Sequence, residues 1–275
     1  MTSAVSGGVL EAHLVAMGVP VLVRAHGARA EELHAFVCAA WQDCAGTAVD
    51  SLDPVVVDVL LDDDAQIVDA AVREGMLGSV SAAMVLHDLS PRITAEIIGR
   101  NAGELLMLHA AGLAEPDSGR AVALVAASGT GKTTATRTLG RELGYLSDET
   151  VAMRPDRVVV PYPKPLSVLE SADSHIKTQL AASTLGLLPA PRESVLSAVL
   201  LLTRDPSAHT VSVQPIRTVQ ALAHLAPQIS YLARLPRPLH RVAETLDDVG
   251  GLQHVTYREA AELRGLVHDL LGGDR

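Results

Sequence analysis

One short run constrains this chain more than any other feature: the apolar segment AVALVAA, Ala121 to Ala127, leads straight into SGTGKTT, and Thr133 to Leu143 follow with helix-compatible composition. A short apolar run bounded by turn residues reads as a buried strand. Strand, glycine turn and helix in that order is the context in which the G-x-x-x-x-G-K-[ST] pattern wraps an anion. Ala126 stands where the pattern has its first glycine. Gly129 and Gly131 still let backbone N–H groups turn inward around a phosphate, and the helix that follows adds its positive end. On this pattern Lys132 contacts the β- and γ-phosphates, Thr133 offers its hydroxyl to Mg2+, and Ser128, Thr130 and Thr134 belong to the same nucleotide-binding turn. The competing reading is a glycine turn that joins strand and helix by chance, and the flanking elements count against it.

A phosphate cradle transfers nothing by itself; it needs a metal-side carboxylate and a group that orients or deprotonates the acceptor. Asp148 and Glu149, in YLSDETV, are the candidates, with Asp148 16 residues after Lys132. Strand alternation sends the two side chains to opposite faces unless the strand ends there. The spacing fits a minimal crossover, which predicts that the strand carrying Asp148 lies next to the P-loop strand. His109, in LLMLHAAGLA, sits on an otherwise apolar segment where a lone histidine is usually a satisfied core residue.

Read in order, LLMLHAAGLA, AVALVAASGTGKTT, GYLSDETVAM and VVVPYPKPLSV resemble the kinase domain of the HPr kinase/phosphorylase family. That family carries a histidine in an L-H-[AG] segment, a G-x-S-G-x-G-K-[ST] loop and a following acidic pair. Here they correspond to His109, to Ser128 through Thr133, and to Asp148 with Glu149. The resemblance covers residues 95 to 170 most closely. It implies a core shared with phosphoenolpyruvate carboxykinases and ATP-dependent phosphorylation of a hydroxyl. On it, Asp148 and Glu149 divide the roles of base and metal partner with Thr133, and His109 assists. No segment after residue 170 matches the signature of the bifunctional enzymes, which makes HPr itself a doubtful acceptor.

The rest of the chain reads as α/β. Strands are expected at Val19–Arg24, Val55–Leu61, Glu104–Ala114, Tyr145–Met153, Leu196–Leu202, Val211–Ile216 and Leu252–Tyr257, the last closing the sheet. Helices are expected at Ala30–Cys44, Arg92–Asn101, Thr218–Leu225, Leu239–Leu246 and Glu259–Leu271. Ser90-Pro91 looks like a helix entrance, because proline suits the first helical position, and the boundary is drawn there. Residues 1–90 form a small N-terminal α/β region of unassigned role, and 91–275 the P-loop domain. Asp62, Asp63 and Asp64 read as a solvated turn, since they lack the glycine and distal glutamate of a calcium loop. Cys38 and Cys44 match neither a redox pair nor a zinc set and read as two buried thiols.

Composition trims the field of partners. The formal charge is −10 and no dense Lys/Arg block appears, so nucleic acid is not an expected partner. Aromatics are only 2%, which leaves few platforms for stacking bases. No apolar run approaches the roughly 18 residues of a membrane span and no secretory signal is evident, so a cytoplasmic protein without a membrane partner is expected. Only three of the 22 basic residues are lysines, namely Lys132, Lys164 and Lys177.

The expected activity is that of a kinase: Mg2+- and ATP-dependent phosphoryl transfer to a serine-type hydroxyl of a protein, peptide or small molecule. Lys132, the loop amides and the metal would supply most of the charge stabilisation. The alternative is an ATP-binding regulatory module that passes phosphate to no external acceptor. A carboxykinase-like enzyme would need an arginine cluster for a dicarboxylate substrate.

Overall fold

The computed structural model describes residues 9–46, 52–127, 131–169 and 177–272. The chain divides into two compact units. One takes the described residues of Met1–Arg100 and Lys164–Ala181, the other those of Asn101–Pro163 and Ala182–Arg275. Both are mixed α/β.

In the first unit β1 (Leu10–Ala16) and β2 (Val19–His26) form an antiparallel hairpin, and β2 continues through α1 (Ala30–Ala40) to β3 (Val55–Leu61), which lies parallel to it. A parallel pair needs a crossover, and α1 supplies it, burying Ala30, Leu33, Val37 and Ala40 at helical spacing. The hairpin strand β1 went unread in the sequence because its apolar residues, interrupted by Glu11 and His13, lead into those of β2 with only Met17-Gly18 between them, a turn with positive φ at both residues. The helix predicted over Ala30–Cys44 ends at Ala40, and its tail is a short 3-10 turn, Gln42–Cys44. Cys44 is buried there, whereas Cys38 on α1 is exposed, against the expectation of two buried thiols.

The acidic triplet is also more than a solvated turn. Asp62 is buried, and its carboxylate accepts N–H groups of Ala28 and Asp64 at 2.9 and 3.0 Å. Asp64 caps α2 (Ala65–Arg73), accepting the Gln66 N–H at 2.8 Å. Then come β4 (Leu77–Ser79), parallel to β3, and α3 (Ala82–Arg100). α3 runs straight through Ser90-Pro91, so the residue read as a helix entrance is interior. A mid-helix proline costs about 3 kcal/mol. Leu86, Leu89, Ile93 and Ile97 bury one stripe on both sides of it, at about 1.5–3 kcal/mol per buried side chain, and that outweighs the break.

The second unit opens with two segments that each looked like one strand and are each split. Glu104–Ala114 divides into β5 (Leu106–Leu108) and β6 (Ala111–Ala114), with β7 (Arg120–Val125) and α4 (Lys132–Leu139) after them. Tyr145–Met153 divides into β8 (Gly144–Ser147) and β9 (Val151–Met153). In both cases the halves join different sheets, and the break between them carries a predicted site residue. After β10 (Val159–Val160) and the proline-rich Pro161–Pro165, the chain returns to the first unit for a hairpin of β11 (Leu166–Leu169) and β12 (Lys177–Leu180).

The remainder belongs to the second unit: β13 (Val195–Arg204), β14 (Ser212–Ile216), α5 (Thr218–Leu225), β15 (Ile229–Ser230), α6 (Pro238–Asp248), β16 (Leu252–Tyr257) and α7 (Leu263–Gly272). Six strands form one sheet in the order β14-β16-β13-β7-β6-β8, and four form another in the order β10-β9-β5-β15. β16 therefore does not close the sheet; β14 lies outside it. Alternation on β7 sends Ala121, Ala123 and Val125 into a core shared with Leu106, Leu108, Val151, Met153, Leu225 and Val242. Val122 and Leu124 face the other way, where α7 packs on β7 and α4 on β6. Among the described residues no helix is long and apolar enough to cross a membrane.

Candidate functional site

The topology of the six-stranded sheet brings three separate stretches of sequence to one edge. β7 ends at Val125 and hands over to α4 there. β6 runs antiparallel to β7, so His109, just ahead of β6, lies at the same edge. β8 runs antiparallel to β6, so its end at Ser147 brings Asp148 and Glu149 there as well. The strand carrying Asp148 is thus not next to β7, as predicted; β6 lies between them. The reason is local. A short turn closed by the Glu115 N–H on the Arg120 carbonyl, 2.9 Å, folds β6 onto β7 and fills that position, so the crossover through α4 passes over it.

Gly131 lies in the left-handed region, φ 97°, and serves as the N-cap of α4. Most side chains would be strained at that φ. Glycine also brings no side chain to the helix's first N–H groups, so among the described residues no N-cap side chain covers the positive end of α4 at the edge. Ser128, Gly129 and Thr130 lie outside the described residues. Of the remaining predicted nucleotide-binding residues, Lys132 and Thr133 are half-buried and Thr134 is exposed.

The Lys132 ammonium donates to the Ala126 carbonyl at 2.8 Å and to His109 Nε2 at 3.1 Å. An ammonium has only protons to give, so Nε2 must accept, and His109 is neutral with its proton on Nδ1. Burial pushes the His109 pKa down and the Lys132 charge pushes it further; Glu149 and Asp148 pull against both. Lys132 is itself depressed by burial, with Asp148 and Glu149 restoring part of the charge's stability. The edge is a compact group of one cation, one neutral imidazole and two carboxylates.

Asp148 is buried, 9% exposed, with Oδ2 3.5 Å from the Thr133 hydroxyl and Oδ1 3.3 Å from the Tyr145 hydroxyl. The strand ends at Ser147, before the acidic pair, instead of running on to Met153. Ser147 Oγ accepts the N–H groups of Glu149 and Thr150 at 3.2 and 3.1 Å, which turns the chain between β8 and β9. The Glu149 carbonyl then accepts the Ala110 N–H at 3.2 Å, and the His109 N–H donates to the Gln228 carbonyl at 2.7 Å. The two breaks in the apolar segments are therefore pinned to each other.

The described residues contain no group of three or more His, Cys, Asp or Glu suited to hold a metal. Thr133 and Asp148 present hard oxygen donors 3.5 Å apart. That set suits Mg2+, which takes one or two protein oxygens and fills its octahedron with water and phosphate. Sequence reasoning missed Tyr145 and Tyr257. Tyr257, at the end of β16, is buried, and a Cβ on Gly131 would lie 3.5 Å from its hydroxyl. The one available signal was the scarcity of aromatics, which leaves four tyrosines in the chain.

No family model matches this chain, and no curated protein matches it. Among solved structures, the HPr(Ser) kinase/phosphatase from Coxiella burnetii is similar at a TM-score of 0.31 and 10% identity, over 60% of this chain and 93% of that one. That is a distant structural likeness and carries no function with it.

Proposed function

We propose that this protein is an Mg2+- and ATP-dependent phosphotransferase that phosphorylates a serine-type hydroxyl of a protein, peptide or small molecule. The observation that carries the proposal is the meeting, at one sheet edge, of the N-terminal start of α4, the Lys132 ammonium and a Thr133–Asp148 oxygen pair with His109 alongside. A loose, anionic transition state needs positive charge and aligned donors more than covalent help, and these residues offer both.

In this reading the residues from Ser128 to Gly131, with Thr134, hold the nucleotide phosphates, and Lys132 leaves the Ala126 carbonyl for the β- and γ-phosphates. Thr133 and Asp148 hold the metal, with Glu149 beside them; when bound, the ion neutralises charge on the phosphate oxygens. The bond between the γ-phosphorus and the β,γ-bridging oxygen breaks, a bond to the acceptor oxygen forms, and the acceptor proton passes to a carboxylate of the pair. The 3.5 Å reach of Asp148 to Thr133 supports giving it the metal side in this reading, with Glu149 taking the proton. His109, neutral, keeps Lys132 aimed and adds no second positive charge behind it.

The test is incubation with γ-labelled ATP and Mg2+, with and without a lysate of the source cells, beside Lys132→Ala and Asp148→Asn. Label on one species with the wild type alone supports the proposal. Tight nucleotide binding with no labelled acceptor, and binding untouched by Asp148→Asn, would favour the regulatory module. Equal labelling with all three proteins would remove these residues from the chemistry.

A further inference from the structure

We infer that Tyr145 is a positioning residue for Asp148, set in place by a β-bulge at Leu146; the inference rests on the phosphotransferase reading and concerns its metal side. On a regular strand, residues 145 and 148 would point to opposite faces. The pairing of β8 with β6 is not regular. Leu113 lies opposite Tyr145 and Gly112 opposite Ser147, so Leu146 is an extra residue with no partner of its own. A bulge shifts the alternation by one, re-aims the side chains beyond it, and favours the neighbourhood of functional sites. Here it returns Asp148 to the side of Tyr145, whose hydroxyl donates to Oδ1 at 3.3 Å.

Two neighbours make the bulge possible and hold the ring still. A Cβ on Gly112 would lie 2.8 Å from Val151 Cγ2 and 3.3 Å from Leu146 Cβ, so the strand opposite the bulge has room only for glycine. Tyr145 is 1% exposed, and its N–H donates to the Leu188 carbonyl at 2.9 Å. A carboxylate gripped at Oδ1 by a fixed phenol keeps Oδ2 turned to the Thr133 hydroxyl, 3.5 Å away. Outer partners of this kind orient a metal-side ligand without touching the ion.

The experiment titrates a fluorescent ADP analogue against wild type and Tyr145→Phe, in EDTA and over a series of Mg2+ concentrations, after thermal unfolding has shown that both fold. The expected result is unchanged affinity in EDTA and a requirement for about three- to tenfold more Mg2+ in the variant, the range for one lost orienting hydrogen bond. A variant on the wild-type Mg2+ curve overturns the inference. If Tyr145→Phe does not fold, 3-fluorotyrosine at position 145 decides: its more acidic hydroxyl is the stronger donor and should lower the Mg2+ requirement, and an unmoved curve overturns the inference. Failure of the reading beneath it looks different, because then the wild type itself shows no Mg2+ dependence.

Discussion

Replacing Lys132 by alanine separates what the lysine does for the fold from what it does for a ligand. In the free protein its ammonium makes two contacts, at 2.8 Å to Ala126 O and 3.1 Å to His109 Nε2. Burial depresses its pKa in spite of two nearby carboxylates, so the desolvation cost exceeds what those carboxylates return. Truncation removes the hydrogen bonds and that cost together, and the two oppose each other. Stability should therefore change by no more than about 1 kcal/mol in either direction. Nucleotide binding has no such offset. Charge-assisted hydrogen bonds to phosphate contribute about 1.5–3 kcal/mol, so affinity for MgADP should fall by about 10- to 150-fold. Calorimetric titration and thermal unfolding on the same preparation read both numbers. Lys132→Arg should not restore binding, because a planar fork does not fit where a point charge sits between a carbonyl and an imidazole. An alanine variant that binds like wild type, or one that loses several kcal/mol of stability with affinity intact, would refute the reasoning.

His109 should make stability fall on the acid side of neutrality. Its folded pKa lies below the unfolded 6.5, so above 6.5 neither state takes up the proton and stability is full. Below that value the unfolded state protonates first, and stability declines until the folded pKa is passed; thermal unfolding against pH should show a shallower slope for His109→Gln. Cys38 is exposed, while burial raises the Cys44 thiol to about 12; iodoacetamide on the native protein should label Cys38 alone by peptide mass spectrometry. Asp64→Ala removes the cap of α2 and should cost about 1 kcal/mol in denaturant unfolding, with nucleotide affinity unchanged.

Legibility in the sequence followed the type of pattern. Val55–Leu61, Thr218–Leu225 and Leu252–Tyr257 match the predicted bounds residue for residue, since each is a periodic segment with punctuation at both ends. Pro91 misled because a buried stripe on α3 overrides a local breaker, and nothing local reports what a helix packs against. The splits at His109-Ala110 and at Asp148–Thr150 were invisible for a related reason. Apolar residues resume on the far side of each break, at Ala110 and at Val151, and only the pairing of β5 and β9 in a second sheet shows that the chain changes partners there. At the candidate site the residue types were readable, because lysine after glycine and an acidic pair are chemical signatures. Their arrangement was not. The bulge at Leu146 and the aspartate it aims depend on Gly112, a residue 34 positions away that local sequence does not connect to Leu146.

The central claim is that the edge formed by Gly131, Lys132 and Thr133 receives the phosphates of a nucleotide opposite Asp148. A crystal structure of the protein soaked with Mg2+ and a non-hydrolysable ATP analogue tests it most directly. The account predicts phosphate oxygens on the Lys132 ammonium and at the start of α4, with the metal between Thr133 and Asp148. Nucleotide bound elsewhere, or Lys132 still closed on Ala126 and His109 in a crystal that holds the analogue, would contradict it.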